Sequence, residues 1–290
     1  MGVQRIGGAW IVDCGIDAPG GLEAGRVMAE VCLAGLGTVD LTPGFTTAYG
    51  LAISVSTEHP VAACMASQYA GWQITQGKYF AMGSGPMRAV AGREPLFDTI
   101  GFRETADNVI GVLEARKFPT PEVVAYIAEA CHVAPERLIL LIAPTASQAG
   151  TVQIVARTVE TALHKLHELG FDISRVVTGH GVAPLPPVAA DDLAAIGRTN
   201  DAVLYGGKVT LWVRGDDASL EDIGPRVPSN SSPDHGRPFR AIFESYNCDF
   251  YKVDPRLFSP AMITFINLDT GRSHRFGQLS PDVLAESFSS

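Results

Sequence analysis

Between Val152 and Leu169 the chain places Val152, Val155, Val159, Leu163 and Leu166 at three- and four-residue intervals. At about 100° per residue these side chains form one apolar stripe, so the stretch predicts an amphipathic helix laid against a core. Arg157, Glu160, His164 and His167 gather on one flank of that helix, and Thr158, Lys165 and Glu168 fall on the face expected to be wet. A flank bordering a core is where a cleft wall lies. The plain alternative is a surface helix whose Arg157 and Glu160 make a solvated i,i+3 pair.

A chain of 290 residues, 46% of them hydrophobic, is long enough to bury a large core and is not a disordered composition. Its formal charge of -9 argues against nucleic acid or an anionic membrane as partner, because both reward a basic field. Cys14, Cys32, Cys64, Cys131 and Cys248 are odd in number, widely spaced and mostly in apolar surroundings, which reads as buried thiols of a cytoplasmic protein. No charged-then-apolar leader precedes Trp10, and no apolar run has the length of a membrane span.

Residues 9–14 predict a short buried strand and residues 20–36 a helix opening on a glycine turn. Leu51 to Thr57 and Leu138 to Ala143 are further strands, and Pro121 to Cys131 is a helix with proline at its first position. Asp201 to Val213 reads as two strands about a Gly-Gly bend, and residues 225–260 as an ordered loop. Ala66 to Ile74 echoes Ala146 to Ile154, and a Gly-x-Gly turn is expected after each, at Gly83-Ser84-Gly85 and Gly179-His180-Gly181. The echo suggests a duplicated α/β unit, although chance likeness of Ala- and Gly-rich strings is the competing explanation.

Neither Gly-x-Gly is a dinucleotide fingerprint: Gly83-Ser84-Gly85-Pro86 lacks the third glycine, and Pro86 removes an amide a phosphate would use. Arg88, just beyond, could reach an anion or make a surface ion pair. Glu160, His164 and His167 on one helix could hold a metal, but HExxH order is missing and no second ligand cluster is evident.

Six strings carry a resemblance that spans the chain from Ile11 to about Phe276: IVDCG followed by GGLEAGR, MGSGPMRA, VARTVETALHKL, VLYGGKV, and the long PSNSSPDHGRPFRAIFESYNCDFYKVDPRLFSPA. They resemble those of methenyltetrahydromethanopterin cyclohydrolases. The resemblance implies an α/β fold of two similar lobes facing each other across a ligand cleft, which the echo would explain by duplication. The corresponding division is a first lobe at 1–94, a second at 95–198 and a C-terminal segment at 199–290. It implies a homotrimer that needs no metal, acting in the one-carbon metabolism of methylotrophs and methanogens. Tetrahydromethanopterin is then the carrier and part of the substrate, and no separate cofactor is expected.

The family reaction is reversible hydrolysis of the cationic methenyl bridge to the 5-formyl derivative. A base must take a proton from water and an acid must protonate the departing nitrogen, and one carboxyl group can do both in turn. The family's Arg-x-x-Glu pair falls here on Arg157 and Glu160. Glu160 would activate water, and Arg157 would hold the carboxylate and oppose the pKa rise caused by burial. Pterin-binding candidates are Gln153, Arg88, Ser84, Ser229, Asp234 and Tyr251. The chain departs from the family pattern twice. It begins almost at the first family strand, without the helical segment that usually precedes it, and His235 stands where Tyr is usual. The rival readings are a metal-dependent amidohydrolase using His164 and His167, and a non-catalytic pterin-binding protein.

Overall fold

The computed structural model describes residues 1–46, 49–249 and 252–289. Their mixed α/β architecture divides into two compact units, one of residues 1–37 and 61–153, the other of residues 38–60 and 154–290. These divisions fall elsewhere than at 94/95 and 198/199.

The first unit is built on a six-stranded sheet of order β1-β2-β8-β7-β6-β5. Its strands are β1 (Gly2–Ile6), β2 (Ala9–Asp13), β5 (Trp72–Gln76), β6 (Tyr79–Ser84), β7 (Val109–Glu114) and β8 (Leu138–Ala143). β2, β8 and β7 run parallel at its centre, and the outer pairs are antiparallel. Leu138, Leu140 and Ile142 face one core, with Val123, Val124 and Ile127 of helix α4 (Pro121–Ala130). Leu141 and Ala143 face another, with Ala24, Met28 and Cys32 of α1 (Leu22–Cys32). Covered on both faces, the central strands have no polar side to show, hence the unbroken apolar run LILLIA. α4 starts as its sequence dictates: Pro121 needs no amide partner, and the Thr120 hydroxyl accepts from the Val123 amide at 3.4 Å.

The second unit holds the sheet β12-β11-β10-β9-β4-β3, from β3 (Gly37–Thr46), β4 (Tyr49–Thr57), β9 (Val176–Pro184), β10 (Lys208–Val213), β11 (Met262–Asn267) and β12 (Ser273–Gly277). Here β10 and β11 pair in parallel, while β9 is antiparallel to both β10 and β4 and β12 is antiparallel to β11. Each unit therefore rests on six mixed strands. The echoed strings do not mark matching places in the two, for both lie in the first unit up to Gln153. The earlier string spans the π-helical segment Val61–Gln68 and β5, and the later one leads into helix α5 (Gln148–Val155).

Three local expectations are corrected. The helix read from Val152 to Leu169 is two helices, α5 and α6 (Thr158–Glu168), with Arg157 at the N-cap of the second. Asp201 to Gly206 is the end of helix α7 (Asp192–Gly206), capped by the Asp191 carboxylate accepting from the Ala194 amide at 2.8 Å, and only β10 is strand. Ala202, Val203, Leu204 and Tyr205 are all buried, so α7 is covered on several sides and shows no helical hydropathy period there. Gly179-His180-Gly181 is not a turn but the middle of β9. A Cβ at Gly179 would lie 2.7 Å from Val159 Cγ1, and one at Gly181 2.9 Å from Val159 Cγ2. The glycines let α6 approach its own sheet closely.

The loop expected over residues 225–260 contains short helical turns and α9 (Phe239–Ser245). α9 packs with α7 and the C-terminal helix α10 (Pro281–Ser289) around Tyr205, Phe239, Phe243 and Leu284.

Candidate active site

The stripe on α5 and α6 is buried as read: Val152, Val155, Val159, Leu163 and Leu166 are fully inaccessible. The flank beside it carries Arg157 and Glu160, whose exposures are only 8% and 6%. Glu160 occupies the third position of α6, inside the first turn, where unsatisfied amides and the positive end of the helix favour a carboxylate. The break at Arg157 creates that location. In one continuous helix Glu160 would sit mid-helix with no such field.

Of the face expected to be wet, only Glu168 is exposed. Thr158 and Lys165 are buried, and Lys165 Nζ donates to the Arg256 carbonyl at 2.7 Å. Burial pushes the Lys165 ammonium down to about 8, with Asp254 opposing and Arg256 adding to the shift. His164 and His167 are partly exposed, and His164 Nε2 lies 3.9 Å from Glu168. Among the described residues no group of three or more His, Cys, Asp or Glu side chains is arranged to hold a metal ion.

In the first unit, Ser84 and Gln153 come together on one thiol. Cys32 Sγ is 3.5 Å from Ser84 Oγ and 3.9 Å from Gln153 Oε1, while Ser67 Oγ donates to the Cys32 carbonyl at 2.7 Å. Gln153 Nε2 donates to Glu114 at 3.4 Å, and Thr145 Oγ1 donates to the other Glu114 oxygen at 2.6 Å. Glu114 ends β7, a strand not read from the sequence; an apolar run closing on a lone glutamate, VIGVLE, was the available signal. At the end of β2, one strand beyond β8, Asp13 accepts from the amides of Gly15, Ile16, Asp17 and Ala18. Burial alone would raise its pKa, but those four bonds together hold it below the usual carboxylate range.

Arg88 is neither a surface residue nor open to an anion. It is 1% exposed, chelates Glu94, donates to the carbonyls of Met65 and Ala66, and lies over the rings of Tyr69 and Phe97. Such an arginine ties Val61–Gln68 to α2 (Pro86–Ala91) and braces the wall that carries Ser84.

In the second unit Ser229 is fully buried and donates to the Leu204 carbonyl, holding the long motif to α7. Asp234 accepts from the Tyr246 hydroxyl at 3.2 Å and from the Asp254 amide at 3.3 Å. His235 packs on the Tyr205 ring at 4.9 Å, and its Nε2 is buried with no hydrogen-bond partner among the described residues. Tyr251 lies outside the described residues. Cys14, Cys32, Cys64 and Cys131 are buried thiols, whereas Cys248 is exposed.

Residues 3–288 match the protein family described as Cyclohydrolase (MCH). The chain belongs to this family. It is 52% identical over 281 residues to a methenyltetrahydromethanopterin cyclohydrolase of Xanthobacter autotrophicus, covering 97% of this chain and 83% of that one. A protein of the same name from Rhodopirellula baltica is 48% identical over 289 residues, covering 98% and 87%. Another, from Methanococcoides burtonii, is 44% identical over 285 residues, covering 97% and 89%. The likeness of this cyclohydrolase-family chain to its relatives thus runs through both units, as the resemblance of the six strings implied. No helix of the described residues is long and apolar enough to cross a membrane.

Proposed function

We propose that this chain catalyses the reversible hydrolysis of 5,10-methenyltetrahydromethanopterin to 5-formyltetrahydromethanopterin. The observation that carries this reading is the likeness, over nearly the whole of this chain, to proteins named methenyltetrahydromethanopterin cyclohydrolase. The buried acid near the start of α6 supports it from the chemical side.

Glu160 takes a proton from water as the oxygen bonds to the cationic bridge carbon, giving a neutral hydroxyl adduct. The protonated Glu160 then gives its proton to N10 as the C–N10 bond breaks, and the adduct's hydroxyl proton is lost to leave the formyl group on N5. The balance is one water consumed and one proton released per cation hydrolysed. Arg157 holds the Glu160 carboxylate in orientation. The chemistry calls for no metal and no cofactor beyond the pterin carrier itself. The enzyme works in the cytoplasm as a homotrimer.

The test follows the methenyl absorbance after EDTA-treated protein is mixed with the substrate. Wild type is expected to discharge the chromophore rapidly, and Glu160→Gln to lose at least about 10²-fold in kcat with a smaller change in KM. Unimpaired turnover in Glu160→Gln would remove the base from this residue.

A further inference from the structure

Glu114 stands apart from the other carboxylates because its position implies a ligand. β2, β7 and β8 run parallel, and their carboxyl ends lie together at one end of the sheet, Glu114 pairing with Ala143 and Asp13 with Ile142. That end is where parallel α/β sheets take up small molecules. Asp13 is spent on its own loop, its oxygens filled by four amides. Glu114 is held by two neutral donors, one on each oxygen, Thr145 Oγ1 and Gln153 Nε2. A carboxylate oxygen has room for two donors, so each keeps one acceptor position unfilled by these bonds. Among the described residues no guanidinium, ammonium or imidazole forms an ion pair with Glu114, although the group is half-buried.

A half-buried carboxylate held from behind by neutral donors, without a counter-charge, matches a ligand that brings two parallel N–H groups or positive charge. The 2-amino-4-oxo edge of a pterin is such a ligand: its N3–H and one 2-amino N–H point the same way at carboxylate spacing. We infer that Glu114 binds that edge of the pterin, with Thr145 and Gln153 fixing the carboxylate plane. Cys32 contacts both Gln153 and Ser84, so it links α1 to Gln153 and to the end of β6. The assignment rests on the cyclohydrolase reading for the identity of the substrate, and on the geometry of Glu114 for the contact.

The test measures kcat and KM for the methenyl substrate, with competitive inhibition by 6-methylpterin and by 6-methyllumazine, which carries a 2-oxo group in place of the 2-amino group. Wild type is expected to prefer 6-methylpterin at least tenfold. Glu114→Gln is expected to raise KM at least tenfold, leave kcat within about threefold and lose the preference, since an amide can donate to the 2-oxo group. Thr145→Val retains the carboxylate and is expected to show an intermediate KM with the preference kept. An unchanged KM and preference in folded Glu114→Gln overturns the inference, as does a fall in kcat alone. If wild type fails to turn over the methenyl substrate, the cyclohydrolase reading falls. Equilibrium dialysis of 6-methylpterin against both proteins then still decides whether Glu114 takes the amino edge.

Discussion

Lys165 carries a consequence that its place on the α6 wheel concealed. Its ammonium is buried against the Arg256 carbonyl and has its pKa pushed down to about 8, against an ordinary value of 10.5. Between those two pH values the unfolded chain holds a proton that the folded chain has released, so this group makes stability rise as pH increases through that window. Below about pH 8 both states are charged and its contribution is flat. Lys165→Met is expected to abolish that rise, and chemical denaturation of both proteins at pH 7.5 and pH 10 measures it; an equal rise in the variant refutes the account. Angular position on a helix told which residues meet the core stripe, and Val159, Leu163 and Leu166 obey it. It could not reveal that Lys165 on the opposite face is covered by the segment around Arg256, because that segment is 91 residues away in the chain. Arg157 and Glu160 stand out as candidates for another reason: two charged side chains on the edge of an apolar stripe, inside a string shared with a family, are few enough to single out. Glu114 stands out less, since its local signal is only the short run VIGVLE that it closes, and its partners Thr145 and Gln153 are 31 and 39 residues away.

At the level of elements, the strands buried on both faces and the capped helices declared themselves, while elements whose limits depend on distant partners did not. α7 is the clearest case. Asp201 is wholly buried on it, accepting from the Phe239 amide of α9 at 2.8 Å and from Ser287 Oγ of α10 at 2.6 Å. Read locally, residues 201–206 are an apolar run with a charge at the front, which imitates a strand. Burial pushes the Asp201 carboxyl up to about 7, the two hydrogen bonds opposing it. With a folded pKa above the ordinary 3.8, the native state holds a proton that the unfolded chain has lost between about pH 4 and pH 7. Stability therefore falls through that range as pH rises, by at most about 1.4 kcal/mol per pH unit from this group. Asp201→Asn keeps an acceptor for Phe239 and removes the titration, so its stability is expected to change less between pH 4.5 and 7.5 than that of wild type. Parallel denaturant titrations decide it. The second element-scale prediction concerns β9: Gly179→Ala forces a methyl group to within 2.7 Å of Val159, and overpacking of this kind costs about 1–3 kcal/mol. A lowered melting temperature together with reduced kcat is expected, because α6 carries Glu160; an unchanged melting temperature would show that the helix gives way at no cost.

For the whole molecule, the α/β class and the family were both readable from the chain. The family came from strings distributed over it, and the class from alternating strand and helix patterns. The partition into compact units was not. The chain crosses between them after Gly37, Pro60 and Gln153, and isolated glycines or a single proline do not distinguish such crossings from ordinary turns. The proposed trimer belongs to this scale. Three 30.8 kDa chains would scatter light as one species of about 92 kDa, and a stable particle of 31 or 62 kDa at micromolar protein would refute it.

The glycines of β9 also bear on how such a protein can change over time. Gly179 and Gly181 have extended backbones, so what they provide is absent volume and not a conformation denied to other residues. Volume, unlike a positive φ, can be moved from one side of a contact to the other. A lineage in which position 179 enlarges must shrink position 159, and the double variant Gly179→Ala with Val159→Ala should recover most of the stability that the first substitution loses. Sequence drift on this strand and drift on the helix bearing the proposed base are thereby coupled, although 20 residues separate the two positions.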